Sequence, residues 1–116
     1  MKKVKFVIED GSIDALGNKV SIDGMQVPNK KVLLTRDFDV TKPIGRCDVF
    51  KEDGLLKAEA EIPDELIDAY PAISFKILDF EAGDDGLMNI TDARLSGVSL
   101  CWRPNTNPSI KKISEQ

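Results

Sequence analysis

The stretch "IGRCDVFKEDGLLKAEAEI", Ile44 to Ile62, constrains the fold more than any other part of the chain. Two extended runs meet at Asp53-Gly54, a pair that accepts the positive φ values of a tight hairpin turn. On the second run Leu56, Ala58, Ala60 and Ile62 fall on one face, and Lys57, Glu59 and Glu61 fall on the other. That alternation specifies a half-buried strand with one wet side. An antiparallel hairpin is therefore fixed near the middle of the chain, and the rest must supply a sheet to cover its apolar face.

The flanking segments have the same character. Val4, Phe6 and Ile8 alternate with Lys3, Lys5 and Val7, a strand pattern. "DGSIDALGN" reads as a turn-rich loop. "KVSIDGMQVP" reads as a short strand, a turn at Asp23-Gly24 and an irregular stretch closed by Pro28, and "KVLLT" as a further strand. "PDELIDAY" is the one helix signal: Pro63 suits a first turn, acidic residues gather at the N-terminal end, and Pro71 stops it. "AISFKILDF" and "LMNITDARLSGVSLCWRP" are strands joined by the turn "EAGDDG", and the polar tail "NTNPSIKKISEQ" is expected to fray. The pattern predicts a mostly-β (α+β) chain, a compact antiparallel barrel-like domain of about six to eight strands with one short helix. The domain spans 1–108, with 109–116 as a polar tail.

At 116 residues the chain suits a single domain with one modest core. It carries 16 basic and 20 acidic residues, a net charge of −4, which suits neither a nucleic-acid binder nor an anionic membrane surface. No apolar run has the length of a membrane span, and "MKKVKFVIEDGS" is too short and too acidic for a signal peptide, so a cytoplasmic location is expected. Cys47 and Cys101 lie far apart and read as reduced, packed thiols. The chain has no histidine. Serine–histidine catalysis and a Cys₂His₂ zinc site are thereby excluded within the chain.

Taken in order, the segments resemble the prohead protease family of tailed bacteriophages, which shares a fold with the herpesvirus assemblins. "DALGNKVSIDGMQV" is similar to the family's opening acidic-glycine stretch. "VLLTRDFDVTKPIGR" is similar to its apolar strand ending in an Asn-His-Asp-like triplet and a Pro-Ile-Gly turn. "EDGLLKAEAEI", "AISFKILDF" and "LSGVSLCWRPNTNP" are similar to the strand, Gly-Leu-Ser and Val-Ser-Leu…Asn-Pro blocks that follow. The resemblance runs from Val4 to Pro108. It implies a head-maturation context, with capsid or scaffolding chains as partners, in a bacterial cytoplasm or inside the prohead or virion.

By the same resemblance, Ser74 occupies the place of the nucleophile, Arg36 that of the histidine base and Gly97 that of an acidic residue. An unassisted serine is a poor nucleophile, and a guanidinium stays protonated. Lys76 lies two residues from Ser74, on the same face of an extended strand, and is the one alternative base, provided that burial strips its proton. Exposed strand lysines are far commoner than such dyads. The resemblance therefore implies a degenerate, non-cutting member with no catalytic group intact and no cofactor or metal.

Other candidates carry less. Asp79, Glu81, Asp84 and Asp85 offer carboxylate oxygens to a calcium ion but lack EF-hand spacing, and acidic residues are common in hairpin turns. Alternation places Asp37 and Asp39 on one side of the strand and Phe38 on the other. The two carboxylates suit a salt bridge to Arg36 or Arg46, or turn capping, better than acid–base work. Ser99 reads as a hydrogen-bonded sheet residue, Trp102 as a core or interface anchor, and Arg103-Pro104 as the end of the strand. Three functions follow: a non-proteolytic binding or structural factor in capsid assembly, a serine endopeptidase with Lys76 as base, or a self-associating head-accessory protein.

Overall fold

The structure, a computed structural model, describes residues 1–83 and 86–116. Its strands are β1 (Lys2–Glu9), β2 (Asn18–Val20), β3 (Met25–Gln26), β4 (Val32–Arg36), β5 (Asp39–Glu52), β6 (Leu55–Ile62), β7 (Tyr70–Ala82) and β8 (Met88–Cys101). They form one curled, barrel-like sheet with the order β1-β6-β5-β4-β8, and β7 lies along the other edge of β8. The mostly-β, barrel-like class expected from the sequence is what forms.

The β5–β6 hairpin turns at Asp53 (φ 57) and Gly54 (φ 75), the two-residue left-handed turn that matches strand twist. Leu56, Ala58, Ala60 and Ile62 are all buried, and they join Phe6, Ile8, Leu34, Leu95 and Leu100 in the core. β2, β3 and β4 run end to end along one edge of β8, each parallel to it, so the sheet is mixed. The turn between β2 and β3 touches β8 so closely that a Cβ on Gly24 would lie 1.9 Å from the Thr91 carbonyl oxygen. Only glycine fits there.

Three local expectations change. The helix is a 3-10 turn, Asp64–Asp68, held by i→i+3 bonds from Leu66 N–H to Pro63 and from Ala69 N–H to Leu66. Six residues between Pro63 and the pre-proline Tyr70 leave little room for an α-helical ladder. Pro43-Ile44-Gly45 is not a turn. It lies within β5, where the pairing with β4 is irregular and a proline is tolerated. The C-terminal segment does not fray: Ile110 and Ile113 are buried, and Ile113 N–H donates to the Ala69 carbonyl. Gln116 clasps the edge of β1, its Oε1 accepting from Val7 N–H at 2.6 Å and its Nε2 donating to Val7 O at 3.1 Å.

Cys47 and Cys101 are buried and free. Burial and the neighbouring Asp48 push the Cys47 thiol up to about 12, so it packs as a small apolar group. Among the described residues no helix is long and apolar enough to cross a membrane.

Candidate functional site

Ser74 sits on β7 directly opposite Gly97 of β8, and Gly97 is paired on its other side with Leu33 of β4. Two of the three positions singled out by the resemblance are thus cross-strand neighbours. Arg36 is not among them. It pairs with Leu100, which in turn pairs with Pro71, so two strand spacings and three residues place Arg36 and Ser74 roughly 14 Å apart along the sheet. The Arg36 guanidinium reaches Glu65 of the 3-10 turn at 3.6 Å instead of Asp37 or Asp39. Lys76 is exposed, so the burial that turns a lysine into a base is absent.

Asp37 and Phe38 form a tight turn between β4 and β5, with φ values of 48 and 61, so strand alternation does not apply to them. A phenylalanine in this region is uncommon and strained. β8 holds the turn in place. Ser99 Oγ accepts from Phe38 N–H at 2.8 Å and from Thr35 Oγ1 at 3.3 Å, and donates to the Thr35 carbonyl at 3.1 Å. Asp37 N–H donates to Leu100 O at 3.2 Å, and its carboxylate takes Trp102 N–H at 3.4 Å. Ser99 is therefore structural, as its place in the strand suggested. Asp39, the first residue of β5, accepts from Thr41 N–H and Oγ1, and these bonds hold its carboxyl below the usual range.

This turn borders a cavity of about 700 Å³. Phe38, Phe75 and Trp102 give it aromatic walls, and Glu9, Asp14 and Asp37 give it carboxylates. Trp102, at 53 % exposed, is a rim residue and not a core anchor. Its neighbours 103–107 also line the cavity. Asn107 is tied back to the loop after β1: its Nδ2 donates to Asp10 Oδ1 at 3.0 Å and to Ser12 Oγ at 2.9 Å. Ser109 Oγ and the Ser12 hydroxyl and N–H also donate to the Asp10 carboxylate, and with the Asn107 bond they hold Asp10 below its ordinary range despite partial burial.

Glu9 is the residue that sequence reasoning missed. Alternation from Phe6 and Ile8 sends Glu9 outward, but the pairing of β1 with β6 slips between Val7 and Glu9. That bulge leaves Ile8 and Glu9 both buried, Glu9 at 7 % exposed. Burial, then the charges of Asp10 and Asp14, push its carboxyl up to about 7, against a smaller opposing hydrogen bond from the Gly11 backbone. Among the described residues no ion pair reaches it. The signal available in the sequence was the Glu9-Asp10-Gly11 run closing an otherwise regular strand.

Ala72, Ile73 and Phe75 of β7 line the cavity, and Ser74 and Lys76 are not among its lining residues. The cavity and the serine are separate features. Of the acidic run considered for calcium, Asp84 and Asp85 lie outside the described residues, and Asp79 Oδ1 accepts from the following N–H of Phe80 at 2.9 Å. Among the described residues no group of three or more His, Cys, Asp or Glu is placed to hold a metal ion. Comparison with family models, with curated proteins and with solved structures returned no match, so the reading of these sites rests on their own geometry.

Proposed function

We propose that this chain is a prohead-protease-like protein of a tailed phage or prophage that binds capsid or scaffolding chains during head assembly without cutting them. The observation that carries the binding half is the outer part of β7. Residues 76–82 are exposed throughout, Ile77, Leu78 and Phe80 present 42 %, 37 % and 54 % of their surface to solvent, and β7 is hydrogen-bonded on one side by β8. An extended segment can add to such an edge through main-chain hydrogen bonds while its side chains meet the apolar ones. The non-cutting half is supported by Ser74, which has neither Arg36 nor a buried lysine beside it to take its proton.

Co-sedimentation of the purified chain with tailed-phage scaffolding and major capsid proteins tests the reading. Binding that is lost in Ile77→Asp/Phe80→Asp sustains it, and no binding to either protein overturns it. Labelling by a fluorophosphonate that disappears in Ser74→Ala would favour the endopeptidase instead. Concentration-dependent dimers that the same double variant abolishes, without capsid binding, would favour a self-associating accessory protein.

A further inference from the structure

The cavity beside the Asp37-Phe38 turn has no part in that proposal, and its chemistry is specific. Glu9 lines it as a buried carboxylate with the like charges of Asp10 and Asp14 nearby and with no ion pair among the described residues. A buried carboxylate held by a backbone hydrogen bond but no ion pair is costly to ionise, and a cation entering the cavity reduces that cost. The walls suit a cation as well. The rings of Phe38, Phe75 and Trp102 offer π faces, and Asn18 and Thr106 add polar groups that can pair with a ligand backbone. At about 700 Å³ the space lies within the range of small-ligand sites and exceeds a single side chain. The one basic residue in the lining, Arg103, is exposed and forms no ion pair with Glu9.

We propose that this cavity binds a guanidinium or ammonium group on an apolar stem, with Glu9 as counter-ion and the rings of Phe38, Phe75 and Trp102 as walls. Two sources carry that chemistry: an arginine or lysine within a peptide, and a free polyamine. The charged groups that act on Glu9 are Asp10 and Asp14 from the adjoining loop; Asp37 from the β4–β5 turn and Arg103 from the segment after β8 are the other charged residues of the lining. β7 and β8 contribute the uncharged Ala72, Ile73, Phe75 and Ile90 to the lining. Because the Glu9 carboxyl titrates at about 7, cation binding strengthens as pH rises through neutrality and releases a proton.

Trp102 is the only tryptophan in the chain, so its emission reports the cavity alone. Titration with N-acetylarginine amide is expected to give a saturable change that tightens by up to about ninefold between pH 6 and pH 8, as Glu9 goes from about one-tenth to about nine-tenths ionised. In Glu9→Gln, which keeps the shape and removes the charge, affinity is expected to fall at least about tenfold and the pH dependence to vanish. Tighter binding of N-acetylarginine amide than of putrescine assigns the site to peptides, and the reverse order assigns it to free polyamines. An equal response to N-acetylleucine amide overturns the proposal, as does Glu9→Gln binding like wild type or the absence of saturation by about 50 mM, beyond the weak limit for so small a ligand. If Glu9→Gln does not fold, amide shifts in the wild type decide. N-acetylarginine amide must move the signals of Glu9, Phe38 and Trp102, and shifts confined to other residues overturn the site.

Discussion

β5 begins and ends in a two-residue turn of the same left-handed form, and the two turns contrast sharply. At its end, Asp53-Gly54 uses the residue that enters this region without strain, and a Cβ on Gly54 would meet nothing within 4 Å. At its start, Asp37-Phe38 places an aromatic residue at φ 61, where an L side chain costs about 1–2 kcal/mol. The open turn is held by its own hairpin. The strained one is fastened to β8 through Ser99 and Leu100, and its ring stands at the cavity mouth. Backbone strain is greater where it sets the position of a ring on the cavity wall, and smaller where a turn only reverses the chain.

The contrast extends to two glutamates, and there the largest effect is expected. Glu52, beside the open turn, is held below its ordinary range by hydrogen bonds from Lys5 and Lys57. Glu9, in the cavity, is raised from 4.5 to about 7. A raised folded-state carboxyl contributes stability that is complete below the unfolded value and is lost as pH climbs through the folded one. Glu9 should therefore make the fold at most about 3 kcal/mol less stable at pH 8 than at pH 4.5, relative to Glu9→Gln. Urea midpoints of both proteins across that range check it, and parallel curves would erase the distinction between the two carboxylates.

Ser99→Ala comes next. It leaves Phe38 N–H and the Thr35 hydroxyl without their buried acceptor, and a loss of about 2 kcal/mol is expected by urea unfolding. A negligible loss would mean that the strained turn holds itself. The turns can then be exchanged in kind. Gly54→Val should destabilise by about 1–2 kcal/mol, and Phe38→Gly should stabilise by about 1 kcal/mol or less while weakening binding of N-acetylarginine amide. Equal destabilisation by both variants would break the comparison.

The same pair shows what the sequence could reveal. The β5–β6 hairpin was legible because Asp-Gly and strict alternation are local signals with one geometric solution. Asp37-Phe38 was not, because nothing local asks for a left-handed phenylalanine. Its conformation is imposed by Ser99 and Leu100, more than sixty positions away in the chain. For that reason Pro43-Ile44-Gly45 drew the turn assignment that belonged a few residues earlier. Glu9 was hidden by a bulge that depends on the register with β6. The C-terminal segment was hidden because Ile110 and Ile113 find their neighbours across the molecule. The place of Ser74 next to Gly97 follows from antiparallel pairing of two recognisable strands. The diversion of Arg36 to Glu65 could not be foreseen, since its partner sits on a 3-10 turn whose packing no periodicity encodes.

The carboxamide of Gln116 on Val7 has a consequence for how copies of this chain can meet. A side-chain amide carries both a donor and an acceptor, the pair that a neighbouring strand would bring, and here it occupies that place on β1 at Val7. The outer half of β7, paired with β8 on one side and exposed, is a margin open to extension. A contact between two β7 margins pairs like with like around a twofold axis and closes at two copies.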